Sequence, residues 1–597
     1  MLKEAPKVSR ELRGKWSDHK TGLADGVGSR LARTSNQGEE MPQRSREPFD
    51  GRIESSQRAH ARNISRNRGR NPRKRSRGFA QLAALCAASL LAAAALPTAA
   101  TAPPTVDPSE VIAPPRPEVL RFGESVASHH DRLLIAAPTD GDAALEPGSV
   151  TLLRFAVDSK GQVVRTTEGE FNATRVGDHF ACSVALGRGT AREQTMARWT
   201  AAVGADRATL VDRLQIHHED YFDALGESGG GFEGCVDLFE LRPEPDGSFL
   251  WKPIATITAP RPQVGAEFGS AVDFAPSGDL LAVAARRHDL GDLGGLTDAG
   301  CINLFEYSNT QPREASPDSA APLLRHLTTH PWSHTQTLCA PAPQSAAWFG
   351  SAVACGEAWI AVGAPGENSS DSASNGGITT PDAGAVHLFA RAANGRFVFE
   401  RTIWSPTATS FGSFGAALAL DGTTLVVGEF GGRIDGVACG KAWIFDLEDP
   451  TNPPQELRPP DRMTGLAFGQ SVAIDGADIL VGAAGFDAPG PEAEGDIEDC
   501  GRAYLYARWS GAHTATLLAP ALTPMGLFSI SLAFVSAESS DATTSARVAA
   551  CGHLYVEEES FGPSPGVALY RPPVSLTEQP DTTWRASTSN PVSVHNR

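Results

Sequence analysis

One short segment recurs along this chain and limits its possible folds more than any other feature. The stretch "WFGSAVACGEAWIAVGAPGEN", 348–368, joins a Phe-Gly pair, two apolar runs separated by a turn, and a Gly-Ala-Pro. Counting degenerate copies, seven such units lie 54 to 88 residues apart, led by Phe122, Phe180, Phe268, Phe349, Phe414, Phe468 and Phe528. This recurrence predicts an array of one supersecondary unit rather than a chain of unrelated domains.

Each unit contains four runs typical of β-strands. Two apolar runs follow the Phe, a third opens with Gly ("GAVHLFAR" from Gly384), and a more polar run precedes the next Phe ("TATLLAP"). Runs of this length bounded by turn residues indicate strands. The Asp-Gly of "ALDGTTL" and "AIDGADI" predicts tight hairpins between the first two strands. The predicted fold is all-β, a seven-bladed β-propeller of four-stranded antiparallel blades.

The leading Phe and the small residue after it are the predicted core of the repeat. The aromatic ring is expected to wedge between adjacent blades, where its burial is worth about 2–3 kcal/mol. A small neighbour lets two backbones approach closely. The residues assigned this role are Phe122, Gly123, Phe180, Phe268, Gly269, Phe349, Gly350, Phe414, Gly415, Phe468, Gly469 and Phe528.

A ring of blades also has to close. The stretch "EVIAPPRPEVLRFG", 110–123, matches the outer-strand-plus-Phe pattern, whereas the seventh unit ends soon after its third strand at Tyr570. Val111 to Ala113 is therefore predicted to supply the outer strand of the last blade. The competing segment is "TTWRAST" near Trp584.

The N-terminal end of the chain differs from its body in charge. Residues 1–78 carry 20 Lys+Arg and 9 Asp+Glu, while the remainder carries 32 and 61. The apolar stretch that follows, 79–102, indicates an export signal or an uncleaved membrane anchor. The predicted organisation is a disordered basic extension over 1–78, the signal or anchor over 79–102, the propeller over 103–574 and a tail over 575–597. Such an acidic body argues against a nucleic-acid partner.

The Phe-Gly start and Gly-Ala-Pro end of each unit resemble the FG-GAP repeat of integrin alpha-chain propellers and of many exported bacterial proteins. The resemblance implies extracellular adhesion or ligand recognition. Integrin-like members carry a D-x-D-x-D-G calcium loop between the first and second strands. The corresponding links here, such as "CGEA" and "LDGT", have too few carboxylates for calcium. The chain is therefore closer to the bacterial variety, and no cofactor or metal is predicted.

Two kinds of segment contain side chains of the types that bind metals or act in catalysis. The stretch "LQIHHEDYFDAL" places His217, His218 and Asp220 together; it is interpreted as a packing helix or surface lid, with a partner-binding loop and a metal or catalytic role as the alternatives. Adjacent His residues lack the i, i+4 spacing of zinc proteases. The carboxylates in the links between second and third strands are interpreted as solvated acidic loops or weak calcium sites, and comprise Asp140, Asp142, Glu146, Asp289, Asp292 and Asp298.

Eight cysteines follow the apolar segment. Cys235 and Cys301 come directly after the Gly that opens a third strand, and Cys439 and Cys500 directly before it. This placement fits either disulfides in an exported chain or small buried thiols.

These features predict an exported or cell-surface recognition or adhesion propeller rather than an enzyme. Its partner would be an extracellular protein or carbohydrate, bound through inter-strand insertions, chiefly 191–233 and 367–384, with a possible membrane tether through 79–102. The alternatives are a propeller enzyme with a dispersed active site at the channel mouth and a purely structural cell-envelope protein.

Overall fold

The computed structural model describes residues 103–115, 121–138, 148–173, 177–192, 196–210, 231–246, 248–291, 295–308, 330–369, 379–490, 495–539, 545–553 and 565–571. The predicted basic extension, the signal or anchor segment and the C-terminal tail lie outside these residues. Among the described residues, no helix has the length and apolar character needed to cross a bilayer.

Thirty-one strands make up the described part of the chain, grouped in seven blades. Two short strands come first, β1 (Thr105–Val106) and β2 (Glu110–Ile112). Blade 1 contains β3 (Ser125–His129), β4 (Arg132–Ala137), β5 (Ser149–Val157) and β6 (Val163–Asn172). Blade 2 contains β7 (Phe180–Arg192), β8 (Met196–Ala205), β9 (Cys235–Pro243) and β10 (Phe249–Ile257). Blade 3 contains β11 (Phe268–Phe274), β12 (Leu280–Ala285), β13 (Cys301–Tyr307) and β14 (Trp332–Leu338).

The remaining blades follow the same plan. Blade 4 contains β15 (Ala352–Cys355), β16 (Trp359–Ala364), β17 (Ala385–Arg391) and β18 (Phe397–Trp404). Blade 5 contains β19 (Phe414–Asp421), β20 (Thr424–Glu429), β23 (Lys441–Asp446) and β24 (Gln455–Leu457), with the small hairpin β21 (Arg433–Ile434) and β22 (Val437–Ala438) inserted. Blade 6 contains β25 (Phe468–Asp475), β26 (Asp478–Ala483), β27 (Arg502–Ala507) and β28 (His513–Leu518). Blade 7 contains β29 (Leu532–Ser539), β30 (Ser545–His553) and β31 (Gly566–Tyr570), completed by β2.

The blades form a closed ring. Their first strands contact one another in the cyclic order β3, β7, β11, β15, β19, β25, β29 and back to β3. The second strands of blades 1, 3, 5 and 6 are buried along their whole length, because other blades cover both of their faces. This explains why they read as unbroken apolar runs. The predicted seven-bladed, four-stranded propeller is confirmed.

The N-terminal part of the propeller closes the ring. In β2, Ile112 pairs with Val567 and Glu110 with Leu569, so the first residues of the ring supply the outer strand of its last blade. This confirms the predicted closure; the competing segment near Trp584 lies outside the described residues. The strand β1 was not predicted; it adds a fifth, parallel strand to blade 6 by pairing Thr105 with Thr516.

A repeated backbone contact joins consecutive blades. All seven leading Phe side chains are buried, with at most 1% of their surface exposed. The N–H of Phe414 donates to the carbonyl oxygen of Ala383 in the preceding blade at 3.0 Å. Directly beside it, a Cβ on Gly384 would lie 2.2 Å from the carbonyl oxygen of Phe414, and Gly384 has a φ of +80°. Glycine at the start of the third strand is therefore required by a close approach between blades.

The predicted insertion 191–233 is shorter in the structure. Residues 191–192 complete β7, and β8 occupies Met196–Ala205, so the hairpin of blade 2 is extended and the true insertion begins at Asp206. The error arose because the second strand of this blade is built mostly from small residues and lacks the Gly-Ala-Pro ending.

The cysteines provide small buried groups at the blade junctions. Cys439 and Cys500, next to the Gly residues that open β23 and β27, carry free thiols, as do the fully buried Cys355 and Cys551. Burial raises the pKa of each of these four thiols. They therefore act as small apolar packing groups in this structure.

Candidate functional site

The two faces of the ring differ in the length of their links. Links between first and second strands are two to five residues long and leave from one face, here called the turn face. Links between second and third strands leave from the opposite face, here called the loop face, and are 11 to 29 residues long. The longest are 206–234 in blade 2 and 365–384 in blade 4. Binding residues are concentrated on loops that a rigid scaffold positions, so the loop face is the candidate functional surface.

The turn face has little room for a metal loop. The hairpins of blades 5 and 6 pair Asp421 with Thr424 and Asp475 with Asp478, leaving two residues in each turn. The first of these is Gly422 or Gly476, with a φ of +61° or +56°. Gly with a positive φ at the first of two turn residues is typical of a type II′ hairpin, and the tight hairpins predicted from the Asp-Gly pairs are confirmed.

Backbone hydrogen bonds join the links of the loop face to the segments that lead into the next blades. In blade 4, the N–H of Trp348 donates to Asp298 of blade 3. The same bond joins Ser413 to Asp382 and Leu527 to Asp499 in later pairs of blades. Each of these links is thus held by the segment that leads into the next blade.

Acidic side chains brace individual links. Asp289 Oδ1 accepts the N–H of Asp298 at 2.7 Å across the link of blade 3, and Asp487 does the same for Asp499 in blade 6. The carboxylate of Asp298 also pairs with Arg287 Nε at 2.9 Å. Asp289 and Asp298 therefore hold the loop shape, whereas Asp140, Asp142, Glu146 and Asp292 lie outside the described residues.

The predicted binding stretch falls in the longest link. His217, His218 and Asp220 belong to 206–234 but lie outside the described residues, so their interpretation stays a prediction. The base of the link is described. There, Glu233 accepts the backbone N–H groups of Leu210 and Gly231, both at 3.3 Å, and so draws the two ends of the link together.

A buried polar cluster holds the base of the link in blade 4. Glu367 Oε2 lies 2.6 Å from Nε2 of His387, and Nδ1 of His387 lies 3.1 Å from Oγ1 of Thr402. Glu367 and His387 are both buried. Sequence reasoning missed this cluster, because its members come from a link and two different strands.

Two exposed aromatic side chains lie on the described part of the loop face. Phe232, in the link of blade 2, and Phe411, in the segment that leads from blade 4 into blade 5, are each 53% exposed. A large apolar side chain left in water is a common anchor for a binding partner. Trp509, 52% exposed, occupies a turn between third and fourth strands on the opposite face and serves as a natural comparison.

Blade 2 brings three potential ligand atoms together on the loop face. The atoms belong to His179, Cys182 and Asp206 and lie within 4.8 Å of one another. Sequence reasoning assigned no role to these residues. Burial raises the pKa of the Cys182 thiol, and the nearby Asp206 carboxylate adds to this effect. A nucleophilic cysteine has a lowered pKa, so this upward shift of the thiol pKa does not indicate a nucleophile.

This architecture defines a class, the seven-bladed β-propeller with a buried Phe at or just before the first strand of each blade. Within the chain, residues 454–506 match the family model described as FG-GAP repeat. The matched segment begins just before the outer strand β24 of blade 5 and runs through the first three strands of blade 6, ending in β27. The protein is an FG-GAP propeller protein, as the resemblance of its repeats predicts. A comparison with curated proteins found no matching sequence.

Proposed function

We propose that this protein is an exported or cell-surface recognition propeller that binds an extracellular protein or carbohydrate through its loop face. The observation that carries the proposal is the difference between the two faces. A ring that only had to pack would need no long links, yet links of 11 to 29 residues all leave the same face. Long links on a rigid scaffold are typical of a binding surface.

The loop face has properties suited to binding a large partner. Backbone hydrogen bonds fix links to the segments that lead into the next blades, which lowers the entropy lost when a partner docks. Phe232 and Phe411 offer exposed apolar contact area on this face. Recognition rather than catalysis is therefore the proposed activity.

Export is the second part of the proposal. It is supported by the basic cluster and apolar stretch before residue 103 and by the extracellular settings in which FG-GAP repeats are mostly found. The strongly acidic propeller is unsuited to phosphate backbones, which supports a protein or carbohydrate partner. N-terminal sequencing of the protein recovered from the producing cells and from their medium would test export. A mature N-terminus near residue 100 in the medium is expected, and an intact N-terminus in the cytosol would contradict export.

Binding is tested with the full chain and two surface variants. The purified protein is applied to a glycan array and to intact producing cells from which the endogenous protein has been removed. We expect specific binding that Phe232→Ser combined with Phe411→Ser reduces at least tenfold. The variant Trp509→Ser removes a similarly exposed aromatic group from the turn face and should bind like the wild type. Equal loss in both variants, or in neither, would contradict a loop-face site.

A further inference from the structure

Three backbone positions converge on the loop face at the start of each blade. They are the residue before the leading Phe, the second residue after it, and the residue after the second strand. In blade 2, Phe180 pairs with Ala205, which brings the neighbouring His179 and Asp206 together. Cys182 is the third member.

The other blades show what these positions ordinarily carry. In blade 1, Arg121 and Glu124 form an ion pair, and in blade 3, Glu267 Oε2 accepts from Arg286 Nε at 2.7 Å. Ion pairs thus occupy the site in two neighbouring blades. The position of Cys182 is held by Ser270 and Ser351 in blades 3 and 4, so packing there does not require a thiol.

Blade 2 differs because all three positions carry metal-ligand types. His179 Nδ1 lies 2.7 Å from Asp206 Oδ1, and the two side chains are 12% and 6% exposed. Within the described ranges, this is the one place where three such ligand atoms converge. We propose that His179, Cys182 and Asp206 form a Zn²⁺ site on the loop face of blade 2.

The ligand chemistry favours zinc. One imidazole nitrogen, one thiolate and one carboxylate suit Zn²⁺, whereas Ca²⁺ and Mg²⁺ take oxygen ligands. Bond lengths of about 2.0–2.3 Å in a tetrahedron place ligand atoms about 3.4–3.7 Å apart. Three atoms already within 4.8 Å of one another need only small side-chain shifts to reach that geometry. A water completes the fourth position.

The charges also balance. A thiolate and a carboxylate neutralise Zn²⁺, so the filled site carries no net charge into its half-buried surroundings. Arg286 of blade 3 approaches the cluster and interacts with Asp206, but its guanidinium is hydrogen-bonded to Glu267. Without metal, Cys182 Sγ donates to the carbonyl oxygen of Gly269 at 3.4 Å. Zinc binding would release this proton, as it does for other thiol ligands.

The site has a clear structural consequence. Asp206 is the first residue of the longest link, 206–234, and Cys182 lies in β7. A metal ion would tie the start of this link to the first strand of its blade. The site is independent of the proposed recognition function, because metal binding is measured directly on the protein without any partner.

The experiment uses the full chain, reduced, stripped with EDTA, dialysed and titrated with Co²⁺ alone. We expect a thiolate-to-cobalt charge-transfer band and the visible bands of tetrahedral Co²⁺, both abolished by an equivalent of Zn²⁺. Cys182→Ser should abolish the charge-transfer band. His179→Gln and Asp206→Asn should each weaken Co²⁺ binding at least tenfold, since even outer partners of metal ligands contribute about that much.

Cys339→Ser is the matched control, because Cys339 is another half-buried thiol in the propeller. It should leave the charge-transfer band unchanged. Thermal unfolding of each variant in EDTA shows whether it folds, and Zn²⁺ should raise the melting temperature of the wild type and of Cys339→Ser but not of Cys182→Ser. The proposal is overturned if the wild type shows no band, if the band survives Cys182→Ser, or if Cys339→Ser removes it.

Discussion

The backbone N–H of Phe468 in blade 6 donates a 3.0 Å hydrogen bond to the carbonyl oxygen of Cys439 in blade 5. The next residue, Gly440, sits so close that a Cβ on it would lie 2.1 Å from the carbonyl oxygen of Phe468. The same arrangement joins Phe349 to Ala299 and Phe528 to Cys500. The leading Phe therefore connects blades through its backbone as well as through its ring.

Gly440→Ala should weaken this junction. The added Cβ meets backbone atoms that have no room to shift, and the φ of +84° disfavours any residue with a side chain. We expect a loss of about 2–4 kcal/mol in the free energy of unfolding, measured by urea denaturation. Gly436→Ala is the control, because Gly436 has a φ of +87° with nothing within 4 Å of its added Cβ. It should cost about 1 kcal/mol, and an equal cost at both sites would contradict a close approach.

Ile112→Ala should loosen the closure of the ring. Ile112 is 4% exposed and packs in the core shared by blades 7 and 1, so its truncation leaves a cavity. The expected loss is about 2–4 kcal/mol, seen as a lower melting temperature and faster hydrogen exchange in β31. Val111, its neighbour in the same strand, is 42% exposed. If Val111→Ala destabilised the protein as much as Ile112→Ala, the core contact would not be the cause.

The regular parts of this molecule could be predicted because they repeat. The leading Phe and the Gly before the third strand form the same backbone contact between successive blades, and the Asp-Gly pairs form the same tight turn in blades 5 and 6. The closing strand was predictable for the same reason, because residues 110–123 repeat the pattern of an outer strand followed by a leading Phe. The strand and turn pattern of the repeat can therefore be recognised even where a single copy is too degenerate to show it.

The missed features depend on contacts between segments far apart in sequence. Thr105 and Val106 form β1 by pairing with a strand more than 400 residues later, and a two-residue strand has no periodicity. His179 and Asp206 meet because of the pairing register of β7 and β8, and β8 itself was not predicted. Once the end of β8 is known, the residue before the leading Phe and the residue after the second strand can be compared in every blade, and this comparison singles out His179 and Asp206.

Glu367→Ala should release the base of the link in blade 4. It removes the partner of the buried His387 imidazole, which then lacks the hydrogen bond formed at 2.6 Å. We expect a loss of about 2–4 kcal/mol together with faster hydrogen exchange at Gly384, whose N–H donates to the Glu367 carbonyl oxygen. Glu367→Gln keeps the length and an acceptor oxygen and should lose about 1 kcal/mol or less. Protected exchange at Gly384 in the Ala variant would show that the cluster does not hold the link.

Asp273 should make stability depend on pH. This half-buried carboxyl of β11 accepts the N–H of Cys355 in the next blade at 2.7 Å. Burial raises its pKa to about 7, against the smaller opposing effect of that hydrogen bond and of one from the Phe274 backbone. Between its ordinary pKa and about 7, the folded protein keeps a proton that the unfolded chain has released. The contribution of Asp273 to stability is therefore lost as pH rises through 7.

Asp273→Asn tests this, because an amide keeps an acceptor oxygen for Cys355 but does not ionise. Near pH 4, the ordinary pKa of an aspartate, the variant and the wild type should unfold with nearly the same free energy. At pH 8 the variant should be more stable by about 1–2 kcal/mol, less than the full pKa shift implies because the half-buried side chain is partly solvated. Urea denaturation at both pH values measures the difference. A difference that stays constant with pH, or that favours the wild type at pH 8, would show that the folded protein tolerates the Asp273 charge.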